Sequence, residues 1–251
     1  MIRIKNLWKK YGELQVLKGL NLDVRKGEIL VILGRSGVGK SVLLKHIIGI
    51  DKPDQGSIEV NGTFISEVKK NELDQAVKNM GMLFQGSALF DSMTIGENTA
   101  FYLEQHGNPL TKEPFSPEEI RHKVQEALAM VGLEGVEKKM PSDLSGGMRK
   151  RAGLARLIVY RPSILLYDEP TTGLDPITAE QINELIVKTQ SELKGTSIVV
   201  THDIHSALTI ADRLALHQDG QIVHIADPKT FIEIDDPVIH FMKNIYARKN
   251  S

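Results

Sequence analysis

Residues Gly34, Arg35, Ser36, Gly37, Val38, Gly39, Lys40 and Ser41 follow an unbroken apolar run, Ile29 to Leu33, and lead into a segment with apolar residues at 42, 43, 44, 47 and 48. A strand with no polar face, a glycine-rich loop and a helix apolar on more than one side fit together in few ways. The strand belongs inside a parallel sheet, and the loop carries the chain from that sheet into a covering helix. The loop itself reads G-x-x-x-x-G-K-[ST]. In that pattern backbone N–H groups curl around phosphate oxygens, and the helix N-terminus adds a favourable dipole. Lys40 then reaches the β- and γ-phosphates of a nucleoside triphosphate, and the Ser41 hydroxyl ligates Mg²⁺.

The same buried-strand style returns twice. Ile164 to Tyr167 ends in the acidic pair Asp168 and Glu169, and Ser197 to Thr201 ends in His202. Between them, Ile182, Leu185, Ile186, Thr189 and Leu193 recur at helical spacing. Ligands of open α/β sheets sit at the carboxyl ends of the strands, so the acidic pair is placed to hold Mg²⁺ through Asp168 and to polarise an attacking water through Glu169. The opening stretch alternates instead, with Ile2, Ile4, Leu20, Leu22 and Val24 apolar, as half-buried strands do. From about residue 86 to 162 the pattern is helical. Ser116-Pro-Glu-Glu119 is a capping box, followed by Ile120, Val124, Leu128 and Val131, and the segment 107–117 with its three prolines reads as a loop. The expected fold is α/β, a nucleotide-binding core with a parallel sheet and an inserted helical subdomain.

Composition narrows the function. The 251 residues carry 31 Lys+Arg against 32 Asp+Glu, a balance that excludes binding to nucleic acid through excess positive charge. Arg149, Lys150 and Arg151 form a basic run too short to change that, and they read as a solvated helix face. With no cysteine, thiolate metal sites and cysteine nucleophiles are ruled out. His205, His217 and His224 read as structural residues. No apolar run approaches the length of a membrane span, and the first residues have no secretory-signal pattern, so work at a membrane requires a partner.

Leu144-Ser-Gly-Gly-Met148 leads into a helix over Arg149 to Ile158, upstream of the acidic pair. This resembles the signature motif of ABC-type ATPases, and the other motifs of that family stand in order across residues 2 to 225. The resemblance implies an N-terminal antiparallel β portion beside the core, with residues 1–251 as one ATPase domain. Approximately 86–162 would be the inserted subdomain and approximately 226–251 a short C-terminal extension. Tyr11 would stack on adenine, Gln85 would join Ser41 and Asp168 around Mg²⁺, Thr172 to Asp175 would form the D-loop, and His202 would contact the γ-phosphate. Lys40, Glu169 and His202 are then the catalytic set. In the family two copies meet head to tail, so that Ser145, Gly146 and Gly147 of one cover the ATP of the other. Two departures stand out: Met148 replaces the usual glutamine, and Thr172-Gly173 replaces Ser-Ala.

A transporter ATPase fits better than a soluble repair ATPase, whose family members carry a long coiled coil between the two halves of the site, or a translation ATPase, which usually carries two ATPase units. Retention of Lys40 and Glu169 weighs against a module without turnover. Phe84 to Asp91, Leu144 to Arg151, Thr172 to Ile177 and Asp235 to Phe241 look like the ATPases of MCE-associated, Mla-type phospholipid transporters. The alternative is the ATPase of an importer for a small polar solute such as an amino acid. Either implies ATP and Mg²⁺ as cofactors, a second copy and a multi-span permease as partners, and a place on the cytoplasmic face of the inner (plasma) membrane. The lipid reading adds an MCE-domain protein. The expected permease-docking segment is Gln85 to Tyr102, with Ala88, Leu89, Phe90, Met93 and Ile95 as anchors and Asp91 and Glu97 to meet basic groups.

Overall fold

In the computed structural model, residues 1–108 and 113–249 are described, with side chains omitted for 245–249. Alternation in the first residues produces β1 (Ile2–Tyr11) and β2 (Leu14–Val24), paired antiparallel with Ile2 opposite Val24. They join β4 (Gln55–Val60) and β5 (Thr63–Phe64) in a four-stranded sheet of order β2-β1-β4-β5. The apolar runs form β3 (Ile29–Leu33), β7 (Ile164–Asp168) and β8 (Thr196–Thr201). With β6 (Met80–Leu83), β9 (Arg213–Gln218) and β10 (Gln221–Ala226) they build a six-stranded sheet of order β10-β9-β3-β8-β7-β6. All neighbours there are parallel except the β9–β10 edge pair.

The central strands are apolar throughout because each face has its own core. Ile29, Val31, Leu33, Leu165 and Tyr167 pack with the helices, whereas Leu30, Ile32, Ile164 and Leu166 pack with the antiparallel sheet and α1 (Lys40–Ile47). Strand alternation divides one continuous run between two layers. α2 (Lys70–Val77) leads into β6, and no strand lies between β6 and β7 among the described residues. That stretch contains α3 (Ile95–His106), α4 (Pro117–Met130), a 3₁₀ turn at Pro141–Asp143 and α5 (Gly146–Ile158). Residues 109–112 of the expected proline-rich loop lie outside the described residues.

The capping box at Ser116 is present: Glu119 N–H donates to Ser116 Oγ at 3.2 Å, and Ser116 N–H donates to Glu119 Oε2 at 2.7 Å. Thr94 and Glu97 form a second one at α3, which corrects the expected docking segment. Glu97 is committed to the cap, and Ile95 is fully buried in the core. Phe90 stays 37% exposed, packed on Phe101 at 4.9 Å with the Arg156 guanidinium 4.4 Å from its ring centre.

Beyond β7 come α6 (Pro176–Leu193) and α7 (Ile204–Ile210), then α8 (Pro228–Phe231) and α9 (Pro237–Lys249) after β10. Phe231, Ile239 and Met242 are buried in the helical-side core, so residues 226–244 dock on the body of the protein; residues 250–251 of the expected extension lie outside the description.

His217, on β9, is a structural residue placed directly behind the glycine-rich loop. It is 1% exposed and neither ring nitrogen has a hydrogen-bond partner. Burial, aided by the nearby Lys40 charge, lowers its pKa from 6.5 to about 4. The unfolded chain therefore binds a proton below pH 6.5 that the folded chain refuses until about pH 4. Stability should fall as pH drops through that window, by an amount on the order of 3 kcal/mol from this residue. Urea unfolding of His217→Leu between pH 6.5 and 4 should show a flatter dependence than the parent. Identical slopes would exclude His217 as the source.

Candidate functional site

Strand order assembles the site. β3, β8, β7 and β6 are consecutive, parallel neighbours. Their carboxyl ends deliver the glycine-rich loop, His202, Asp168–Glu169 and Gln85 to one edge of the sheet, the position at which such sheets bind ligands. The loop can turn there only because of its glycines. A Cβ on Gly34 would come 2.6 Å from the His217 carbonyl oxygen, and one on Gly39, at φ 106°, would come 2.6 Å from Val16 Cγ1. Gly37, at φ +84°, has open space beside it. Arg35 and Ser36 are exposed, Val38 is half-buried, and Lys40 starts α1 at 5% exposure.

Lys40 Nζ donates to the carbonyls of Gly34 at 2.8 Å and Arg35 at 3.0 Å, and it pairs with Glu169 Oε1 at 3.1 Å. Glu169 Oε2 accepts from the Thr172 hydroxyl at 3.0 Å and lies 2.8 Å from His202 Nδ1. The expected catalytic set Lys40, Glu169 and His202 is thus one contiguous cluster. Glu169 reaches it from φ 48°, an unusual conformation for a non-glycine residue. The Thr172 hydroxyl of the D-loop segment donates to this carboxylate, a contact that the spacing of the motif does not reveal. Asp175 serves as the N-cap of α6, accepting from Ile177 N–H at 3.1 Å and Thr178 N–H at 3.0 Å.

Ser41 Oγ donates to Asp168 Oδ1 at 2.7 Å. Burial pushes the Asp168 carboxyl up, against the pull of the Ser41 hydrogen bond. A hydroxyl and a buried carboxylate in contact, with a carboxylate that gains from a nearby cation, fit a magnesium ion. Gln85 is exposed, and the contact shown is through its carbonyl, which accepts from Lys150. The spacing of charges had placed Lys150 on a solvated face; it is 6% exposed instead. Only a tertiary contact could have revealed that.

Ser145 is the exposed N-cap of α5, accepting from Met148 N–H at 3.3 Å. Gly146 is exposed, its nearest prospective Cβ neighbour 3.9 Å away, so a ligand can approach its backbone. Gly147 is buried, and a Cβ there would collide with Thr178 on α6. Its immediate requirement is helix packing. Met148 packs partly buried against the helical-side core.

Tyr11 ends β1 opposite Leu14, and its ring is 44% exposed. The phenol donates to Asp51, and Lys9 Nζ sits 5.1 Å from the ring centre while pairing with Asp51 at 2.9 Å. Partial burial and Asp51 push the Tyr11 hydroxyl up to about 12. Burial opposes ionisation of Asp51, but the hydrogen bonds from Tyr11 and Lys9 prevail and hold it at about 2. Leu14 also lines a cleft of about 500 Å³ against the glycine-rich loop, with Val16, Ser36, Gly37 and His217. A larger cleft of about 870 Å³ opens where the ends of α2, α3 and α5 meet, walled by Tyr102 and Tyr160 stacked at 3.8 Å; none of the predicted nucleotide, metal or catalytic residues line it.

Comparison with known proteins agrees with this geometry. The ABC transporter family profile matches residues 17–172. The chain is 42% identical over 243 residues to "Probable ribonucleotide transport ATP-binding protein mkl" of Mycobacterium leprae, covering 97% of this chain and 68% of that protein. It is 40% identical over 245 residues to "Intermembrane phospholipid transport system ATP-binding protein MlaF" of Haemophilus influenzae, covering 97% of this chain and 90% of the relative. Among solved structures, a dimeric post-hydrolysis state of the ATP-binding cassette MJ0796 bound to ADP and Pi superposes with a TM-score of 0.81 at 33% identity, over 91% of this chain and 99% of that one. The profile match and these identities establish that the chain belongs to the ABC transporter family of ATP-binding proteins.

Proposed function

We propose that this chain is the ATP-hydrolysing subunit of a membrane transporter that moves phospholipid. The observation that carries the hydrolytic part is the buried Glu169 carboxylate, held by Lys40, Thr172 and His202 beside the Ser41–Asp168 pair. Ser41 and Asp168 would hold Mg²⁺, with Gln85 as a further ligand, and the ion would neutralise charge on the β- and γ-phosphates. Lys40 supplies fixed positive charge at the loop, and the backbone N–H groups of residues 34–41 receive phosphate oxygens. Glu169 accepts a proton from the attacking water at a carboxylate oxygen, and His202 orients that carboxylate through Nδ1. The exposed Tyr11 ring, fixed by Asp51 and Lys9, offers a face for adenine.

Glu169→Gln keeps the shape but removes the proton acceptor. Turnover should fall by about 10²–10⁴-fold with ATP binding retained, and light scattering should show an ATP-dependent dimer. Near-parental turnover would remove Glu169 from the reaction.

Ser145 and Gly146 are open to approach, which supports a head-to-tail dimer with two composite sites. Ser145→Arg should leave ATP binding to one chain intact and stop hydrolysis by intruding on the partner's nucleotide. Mixed with Lys40→Ala subunits, it should recover at most one working site per dimer. Normal hydrolysis by Ser145→Arg would overturn the composite site.

The lipid reading is supported by the phospholipid-transport relative, of which this chain covers 90%. No helix among the described residues is long and apolar enough to cross a membrane. The chain would sit on the cytoplasmic face of the inner (plasma) membrane through a permease, one of whose cytoplasmic helices enters the cleft beside Tyr102, the end of the candidate docking segment. Pull-down from membranes in mild detergent, followed by mass spectrometry, should recover a multi-span permease, an MCE-domain protein and phospholipid. A solute receptor without an MCE protein would replace the cargo assignment and leave the ATPase intact.

A further inference from the structure

The basic run opening α5 divides into three environments. Arg149 is exposed and donates to the Leu144 carbonyl at 2.7 Å, and Arg151 is half-buried. Lys150 is enclosed: its ammonium donates to the carbonyl of Gln85 and lies 3.4 Å from the carbonyl of Glu169. Burial lowers its pKa, and the neighbouring Asp168 and Glu169 charges work against that. An apolar side chain would avoid the cost of burying an ammonium, so packing alone gives no reason for a lysine here. The two carbonyls do. They belong to separate strand ends, one following β6 and one following β7, and without Lys150 both would lose a charged donor.

Two neighbours on the same helix face show what α5 holds. A Cβ on Gly153 would lie 2.9 Å from Leu83 Cδ1 and 3.1 Å from the Ser87 carbonyl oxygen, so the helix backbone presses directly on the segment after β6. Arg156 donates to the Ala88 carbonyl. Ser87 and Ala88, at φ 64° and 48°, are consecutive non-glycine residues in the left-handed region and need outside support to stay there. Positions 150, 153 and 156 thus grip the loop that begins at Gln85, and Lys150 is the grip that also reaches β7.

We propose that Lys150 is a positioning residue for hydrolysis: by bridging the main-chain carbonyls of Gln85 and Glu169, it fixes the Gln85 side chain and the Glu169 carboxylate relative to one another on the same phosphate. The inference rests on the ATPase reading above. Lys150 touches no reacting atom, and its effect passes entirely through the two residues it holds.

The test compares Lys150→Met, Lys150→Gln and Lys150→Arg in the full-length chain. Lys150→Met should lower kcat roughly tenfold to a hundredfold, the scale of lost charged hydrogen bonds, and change KM for ATP less than about threefold. Amide exchange should report the cause. The Ser87 N–H, bonded to the Phe84 carbonyl at 2.8 Å, should exchange about tenfold faster, and the Leu43 N–H in α1 should not change. Arginine can donate to both carbonyls and should restore most of kcat; glutamine, a neutral donor, should restore part. If Lys150→Met does not fold, the kcat of the glutamine and arginine variants at constant KM carries the test. Parental kcat in the methionine variant would overturn the proposal. So would a loss that arginine does not repair and that accompanies faster exchange throughout the protein. Absence of hydrolysis in the parent chain would overturn the ATPase reading, and this inference with it.

Discussion

The ion pair between Lys40 and Glu169, 3.1 Å long with side chains 5% and 9% exposed, joins two strand ends that neither partner could occupy alone. An unpaired ammonium or carboxylate at that depth is strongly unfavourable, and breaking such a pair by deleting one side costs about 3–5 kcal/mol. The pair therefore fixes the glycine-rich loop against the end of β7. Around it, the remaining polar groups are satisfied in a chain: Lys40 by the loop carbonyls, Glu169 by Thr172 and His202, and Asp168 by Ser41. On the proposed reading, a nucleotide entering this edge would meet a cation already neutralised, and binding would exchange the partners of Lys40, with the carboxylate left to Thr172 and His202.

The backbone is as constrained as the charges. Glu169, Ser87 and Ala88 all have positive φ, and each follows the carboxyl end of one of the strands that build the site. Single left-handed residues of this kind persist only where surrounding contacts over-determine them. Glu169 N–H donates to the Val200 carbonyl at 2.9 Å, which holds the turn against β8. For Ser87 and Ala88 the support comes from the helical segment: Arg156, Gly153 and the buried Asn98, whose side chain accepts from Phe90 N–H at 2.7 Å and donates to the carbonyls of Phe90, Met93 and Thr94, each at 3.0 Å. The sheet fixes one side of the site, and the inserted helices fix the other.

Much of this was legible locally. Ile29–Leu33 and Ile164–Tyr167 announce two-sided burial because no register gives them a polar face, and Ser116 with Glu119 announces a helix start by its spacing. The glycine-rich loop, the acidic pair and His202 were placed correctly at strand ends for the same reason. What was not legible depends on contacts between distant segments. Lys150 looks like one of three surface cations until α5 is laid against the Gln85 loop. Ile95 looks like a docking anchor until α3 turns it inward, and the close passage of α6 beside Gly147 has no local signal. The Thr94 cap carries the same spacing as Ser116, Thr94 with Glu97 three residues on, but its surrounding apolar residues resemble those of a binding surface.

Helix α5 shows why an exposed motif and a buried one can occupy a single element. Its N-cap Ser145 and first glycine lie open, their N–H groups at the positive end of the helix, which is the disposition needed to meet an anion arriving from outside. Within two turns the same helix is enclosed, with Lys150, Ala152, Gly153, Leu154 and Ala155 all buried. A rigid helix anchored that firmly in its middle cannot adjust its N-terminus independently. The orientation of Ser145 is therefore set by the packing of residues 150–155 on the chain's own loop and strand ends. The geometry at the surface of this helix thus follows from the contacts of its buried middle with the loop that begins at Gln85.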